Sequence, residues 1–163
     1  MQANLWMETG KEKEAEKIYA SKTISGLNQI QIPLGRLIEI AAKNGDTNNA
    51  SQLVECGEVL TKAFGMWEYN TYVFAFEKAM AEGNAVDTIR ILDQMLDAML
   101  TPWDTSCCPI YKHMGNDNHE VNLGEKMFAN ILNELEHTER YAFLRKEDAF
   151  YQLINKYKTV IPK

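Results

Sequence analysis

The sequence is short of cations: 17 Lys and Arg stand against 23 Asp and Glu, a formal net charge of −6. Neutralising a phosphate backbone takes the opposite balance, so these residues are not themselves a nucleic-acid reader. Long apolar runs are missing as well. No stretch approaches the roughly 18 to 20 residues that span a bilayer, and the start, MQANLWMETGKEKEAEK, has no basic region leading into an apolar one. A cytoplasmic protein with no membrane partner is the expectation. Cysteines number three, and only Cys107 and Cys108 are neighbours, which argues against a disulfide framework and fits reduced thiols. The phosphate-cradling G-x-x-x-x-G-K-[ST], the dinucleotide G-x-G-x-x-G and the zinc-binding H-E-x-x-H are all absent, so no motif implies a cofactor. Strand patterns, with apolar residues alternating and β-branched residues enriched, are scarce.

What the chain has instead is helical spacing. Apolar residues recur at i, i+3, i+4 and i+7, as in Leu34, Leu37, Ile38 and Ala41, then in Tyr69, Tyr72, Val73 and Phe76, then in Ile89, Leu92, Leu96 and Met99. Similar punctuation separates these faces: TGKEKEA at 9–15, NGDTNNA at 44–50 and EGNAVDT at 82–88. Each supplies a glycine for a left-handed helix end and a polar start for the next helix. In the third, Asn84 stands three residues before Asp87, the spacing of a capping box. Gly10, Gly45 and Gly83 stand 35 and 38 residues apart, the period of a helical hairpin. Such a unit buries its apolar face only by stacking on a copy of itself. With 163 residues, one helical-repeat domain over 1–163 is expected, with hairpins at about 1–25, 30–65 and 68–100, a linker at 101–122 and terminal helices at 123–158. Only nine residues precede Gly10, so the expectation is an array that begins upstream, in a longer chain.

The pattern resembles tetratricopeptide (TPR) repeats in Leu5, Gly10, Ala15 and Tyr19, and again in Ala41, Gly45, Asp46, Ala50 and Gly57. The third copy departs from it, with Thr88 in place of a small alanine and Leu92 in place of an aromatic. The C-terminal half, with Trp103, Asp104, Ser106, Pro109, Tyr111 and His113 followed by LNELE and YAFLR, is similar to the end of TPR-like regions in bacterial XRE-type helix-turn-helix transcriptional regulators. The resemblance implies an all-α fold, a TPR-like stack of antiparallel helical hairpins (an α-solenoid). It also implies a non-catalytic module that binds a peptide, a protein or a second copy of itself, with DNA reached only through a domain outside this chain; a standalone adaptor is the alternative. Carried onto this sequence, the TPR groove positions are Asn4, Met7, Glu39, Asn70, Val73 and Glu77. Tyr72 joins them from the aromatic run Trp67, Tyr69, Tyr72, Phe74 and Phe76, which covers more than one helical face and so leaves one or two rings over for a groove. Glutamates at Glu39 and Glu77 repel an anionic peptide terminus, so a hydrophobic or basic peptide is expected.

The remaining chemistry gathers in WDTSCCPIYKHMGNDNH, residues 103–119. Pro102 ends the helix before it, Thr105 or Ser106 is placed to cap a short turn, and Pro109 suits a turn or early helical position. Zinc here would need Cys107, His113 and His119, with Asp117 or Glu120 as a fourth ligand, and two adjacent cysteines chelate one ion poorly. A nucleophilic or redox thiol at Cys107 or Cys108 with His113 needs a lowered thiol pKa, for which the sequence holds no further sign. The favoured reading is therefore a loop whose Trp103, Ile110 and Tyr111 tuck against the helices, with Asn116, Asp117 and Asn118 at its tip. Glu134, Glu136 and Glu139 read as a solvated helix face rather than paired catalytic carboxylates.

Overall fold

Four glycines set where the chain reverses, with φ of +73° at Gly10, +74° at Gly45, +54° at Gly65 and +66° at Gly83. At Gly45 the amide of Asp46 donates to Ala41 O (3.0 Å) and that of Gly45 to Ala42 O (3.0 Å), the paired bonds that satisfy the last carbonyls of a helix. Side chains then start the next helix. Asp46 Oδ1 accepts from the amide of Asn49 at 3.2 Å, and Asn84 Oδ1 accepts from that of Asp87 at 3.1 Å. Asn84 Nδ2 also donates to Asp87 Oδ2 at 2.7 Å, so the two residues close a reciprocal cap.

The computed structural model describes residues 2–114, 120–121 and 124–159, and these are all-helical apart from one short strand pair. The helices are α1 (Gln2–Glu8), α2 (Glu12–Lys43), α3 (Thr47–Ala63), α4 (Tyr69–Ala81), α5 (Ala85–Leu100), α6 (Gly124–His137) and α7 (Asp148–Lys158). Two-residue strands β1 (Trp103–Asp104) and β2 (Glu120–Val121) pair antiparallel. From α1 to α5 each helix packs on the next, α2 also packs on α4, and α6 and α7 both pack on α5. Among the described residues no helix is long and apolar enough to cross a membrane.

One expected boundary is absent. A turn between hairpins at 1–25 and 30–65 would fall near residues 26–29, yet α2 runs without a break for 32 residues and contains Pro33. Proline leaves the carbonyl of Gln29 without its helical donor, and Pro33 and Gln29 both lie on the exposed side of α2. Packing holds the two halves in line: Leu27 and Ile38 are buried on the side that faces the other elements. Elsewhere α5 stops where Pro102 requires, with Thr101 extended at φ −86°, ψ 123°. The short turn at Thr105–Cys107 is capped by Asp104, which accepts from the Ser106 amide at 2.8 Å, rather than by Thr105 or Ser106.

The largest core lies in the C-terminal half. Phe76 of α4, Leu92, Leu96 and Met99 of α5, Phe128 of α6, and Phe150, Ile154 and Tyr157 of α7 close on one another. Each such side chain contributes about 1.5–3 kcal/mol on burial, which fixes α4 from behind. Tyr157 is fully buried, its hydroxyl 2.6–2.8 Å from Asp97 Oδ1, Asp93 Oδ1 and Asp93 O, which fastens α7 to α5. On its other side α4 meets α3 through Phe74, whose ring would lie 2.4 Å from a methyl at Gly57. The smaller cluster Ile38, Val54 and Phe74 joins α2, α3 and α4.

Candidate functional site

With α4 held from behind, one flank of it is free to face α2. Successive residues of a helix turn by about 100°, so Tyr69, Asn70, Val73 and Glu77 fall within an arc of about 100° on α4. These four line a depression of about 340 Å³ whose opposite wall is α2, through Asn28, Gln31, Ile32, Gly35 and Arg36. It continues at both ends. Asn28, Tyr69 and Asn70 are shared with an apolar depression of about 490 Å³ that reaches Trp67, Trp103, Tyr111 and Met114. Ile24 and Met114 lead on into a third, of about 310 Å³, beside Lys17 and His113. In the other direction Glu77 leads to a charged end of about 200 Å³, where Glu39 and Lys43 of α2 meet Arg140 and Phe143. Linked by these shared lining residues, the four depressions follow one another along α2 beside α4 and the segment after α5, and are together called the groove.

That segment is strapped down by hydrogen bonds to backbone carbonyls. Trp103 Nε1 donates to Gly65 O (2.9 Å), Trp67 Nε1 donates to Thr101 O (3.0 Å), and the Cys107 thiol faces Gly65 O (3.3 Å) and Asp104 O (2.9 Å). Trp103 and Tyr111 meet edge to face, 4.7 Å between centroids. Lys112 is bonded to Glu16 of α2, and His113 Nε2 lies 3.2 Å from Glu16 Oε2. That approach is off the hydrogen-bond direction, so among the described residues the buried Nε2 has no hydrogen-bond partner, although it is near enough to Glu16 to pair in charge when protonated.

The charged end is neutralised within the chain. Glu39 Oε2 accepts from Arg36 and its Oε1 from Lys43, both at 2.6 Å, and Glu77 Oε2 accepts from Arg140 at 2.6 Å. Lys43 foremost, then Arg36, holds the Glu39 carboxyl down at about 2. Burial opposes the charge on Arg140, but the bond to Glu77 together with the Glu77 charge and other nearby groups keeps the guanidinium above its ordinary pKa. Glu39 and Glu77 are thus each paired with cations of the same chain, which weakens the repulsion they would exert on an anionic ligand.

The residues anticipated for a groove divide three ways. Asn70, Val73 and Glu77 line the central depression and Glu39 the charged end. Tyr72 does not join them: about 60° to the other side of Tyr69 around the helix, it lines a separate hollow with Glu58, Thr61 and Glu68 between α3 and α4. Asn4 and Met7 are on α1, outside the groove; Asn4 accepts from the Tyr19 hydroxyl and Met7 is 52% exposed. Of the aromatic run, Trp67, Phe74 and Phe76 are buried, and Tyr69 is the ring shared by both central depressions. Sequence reasoning passed over Arg36, Asn28 and Arg140. Asn28 and Arg36 lie at helical spacing on the groove side of α2, a signal hidden by the expected break in that helix, while Arg140 meets Glu77 across 63 positions.

The thiols and His113 do not form a common centre, since Cys107 turns to Gly65 and His113 to Glu16. Burial foremost, then the nearby Asp104 charge, pushes the Cys107 thiol above its ordinary pKa, opposite to what a nucleophile needs. Burial pushes the Tyr111 phenol up to about 12. Asp117 and His119 lie outside the described residues, as does the Glu120 side chain, and among the described residues no three His, Cys, Asp or Glu are grouped to hold a metal ion. Glu136 of the acidic run pairs with Lys158 at 2.6 Å, while Glu134 and Glu139 are exposed. No family model, curated protein or solved structure matches the chain.

Proposed function

We propose that this chain is a non-catalytic, TPR-like binding module of the cytoplasm that takes a peptide or protein segment into the groove along α2, as the sensor part of a helix-turn-helix transcriptional regulator. The observation that carries this reading is the groove itself. Its two walls, α4 and the strapped segment 103–114, come from regions held to α2 separately, so a ligand lying in it touches both and favours the arrangement in which they stand correctly spaced. The sequential packing of α1 to α5 supports a stack of helical hairpins. DNA contact belongs to a domain outside these residues, in keeping with the net charge of −6.

The test is selection. The purified chain is used to sort a randomised dodecapeptide library, and the selected peptides are measured against Val73→Trp, which fills the central depression with an indole. Selected peptides bind at least about tenfold more weakly to the variant if they occupy the groove. Equal binding to both proteins, or no selected peptide at all, contradicts the reading. The standalone adaptor differs in one respect: the endogenous protein then carries no DNA-binding segment joined to this chain, which its intact mass decides.

A further inference from the structure

A second surface lies on the side of α2 opposite the groove and is independent of what the groove binds. Ile30, Pro33, Leu37 and Ile40 recur at alternating spacings of three and four, which sets them in one stripe, and all are exposed, Ile30 at 47%, Leu37 at 52% and Ile40 at 56%. Leu34, Ile38 and Ala41, which share the period with Leu37, turn into the core. Leu37 does not.

The stripe continues a contact the chain already makes. Eighteen residues are five turns of helix, so Pro33 stands in line with Ala15 and Leu37 in line with Tyr19. Those two positions are where α1 packs: Ala15 is fully buried, and the Tyr19 hydroxyl donates to Asn4 of α1. Among the described residues α1 covers only the start of this line, which stays open from Gly26 to Ile40, or roughly 21 Å. An exposed apolar stripe with this spacing is the seam of a helix–helix contact. We propose that it docks an amphipathic helix of a partner protein, about four turns long, with Asp or Glu along one edge.

Charge selects this occupant over a second copy of the chain. Lys22, Gln29, Arg36 and Lys43 recur every seven residues along one edge of the stripe, and from Lys22 to Lys43 the only acidic residue is Glu39, on the groove side. Arg36 and Lys43 share that carboxylate and stay 66% and 62% exposed. Acids of the adjoining elements face elsewhere: Asp46 caps α3, Glu58 lines the hollow between α3 and α4, Glu55 is about 200° round α3 from Leu53, which packs into the core, and Glu77 is held by Arg140. Glu8 and Glu12 stand at the end of the line that α1 covers. The other edge of the stripe, Leu27, Leu34 and Ala41, is turned inward. Two antiparallel copies joined across a twofold axis would thus bring their cationic edges together, where like charges repel; an acidic edge on a partner pairs with them instead.

The experiment displays peptides of about 18 residues, five turns of helix, with Leu fixed at alternating spacings of three and four and the flanking positions open to Glu, Lys, Gln and Ser. They are sorted on the wild-type chain and measured against Leu37→Glu, Lys22→Glu/Lys43→Glu and Val73→Trp, whose helical spectra and melting curves establish that they fold. Selected helices carry Glu along one edge, bind Leu37→Glu and the double lysine variant at least about tenfold more weakly, and bind Val73→Trp unchanged, which separates this face from the groove. Sedimentation equilibrium gives a monomer. A dimer that Leu37→Glu disperses assigns the stripe to a second copy and overturns the proposal. Selected helices without an acidic edge, helices that weaken on Val73→Trp but not on Leu37→Glu, or no selected helix at all overturn it as well. None of these results touches the groove, which its own library tests.

Discussion

Gly65 carries three constraints at once: it turns α3 into α4 at φ +54°, its carbonyl accepts from the Trp103 indole, and a methyl on it would stand 2.4 Å from Cys107 Sγ. Gly65→Ala should therefore destabilise the chain by about 2–3 kcal/mol in urea denaturation, about 1 kcal/mol from the left-handed backbone and the rest from the sulfur. Adding Cys107→Ala relieves the second part, and a double-mutant cycle should return a coupling of about 1 kcal/mol or more; additive effects would mean that the strap does not lie on this turn. The same residue marks a limit of reading at this scale. Gly45 and Gly83 were legible because a helix start follows each directly, Asp46 in one case and Asn84 with Asp87 in the other, all within local reach. The expected hairpin bounds, 30–65 and 68–100, already put a break at Gly65, but its partner Cys107 is 42 positions away and no local pattern points to it.

In α2 local signals and packing disagree. The repeat bounds put a break at 26–29, and Gly26, Pro33 and Gly35 disfavour helix by propensity, while burial of Leu27 and Ile38 and contacts with α3, α4 and the segment near Tyr111 keep the helix whole. Propensity costs of about 1 kcal/mol for glycine and about 3 kcal/mol for proline lose to that burial. A helix that tolerates Pro33 gains when it is removed. Pro33→Ala restores a donor for the Gln29 carbonyl and should stabilise the chain by about 1–3 kcal/mol in chemical denaturation. Were residues 26–33 a turn, the same change would leave stability unaltered or lower it, since proline rigidifies a turn it fits. The other helices were legible in kind from their apolar period, with side-chain caps marking the starts of α3 and α5.

At the scale of the whole molecule the groove is assembled from pieces that no local pattern joins: α2, α4 and the segment after α5, with Arg140 closing one end. Asn70, Val73 and Glu77 were expected only through the TPR resemblance, and their helical spacing puts them on one face of α4. Asn4 and Met7 were placed by a repeat register that an unbroken α2 does not keep, and Tyr72 by membership of an aromatic run whose members point in different directions. The polarity of the groove was illegible for the same reason, since Glu39 and Glu77 meet their cations only after folding. Everything proposed for binding depends on α2 being one straight wall. Spin labels at Lys13 and Lys43, in a chain whose Cys56, Cys107 and Cys108 are replaced, measure this directly by pulsed electron–electron resonance. Thirty residues of continuous helix predict a separation of about 45 Å between backbones; a distance under about 25 Å, as in a hairpin folded near Gly26, would contradict it.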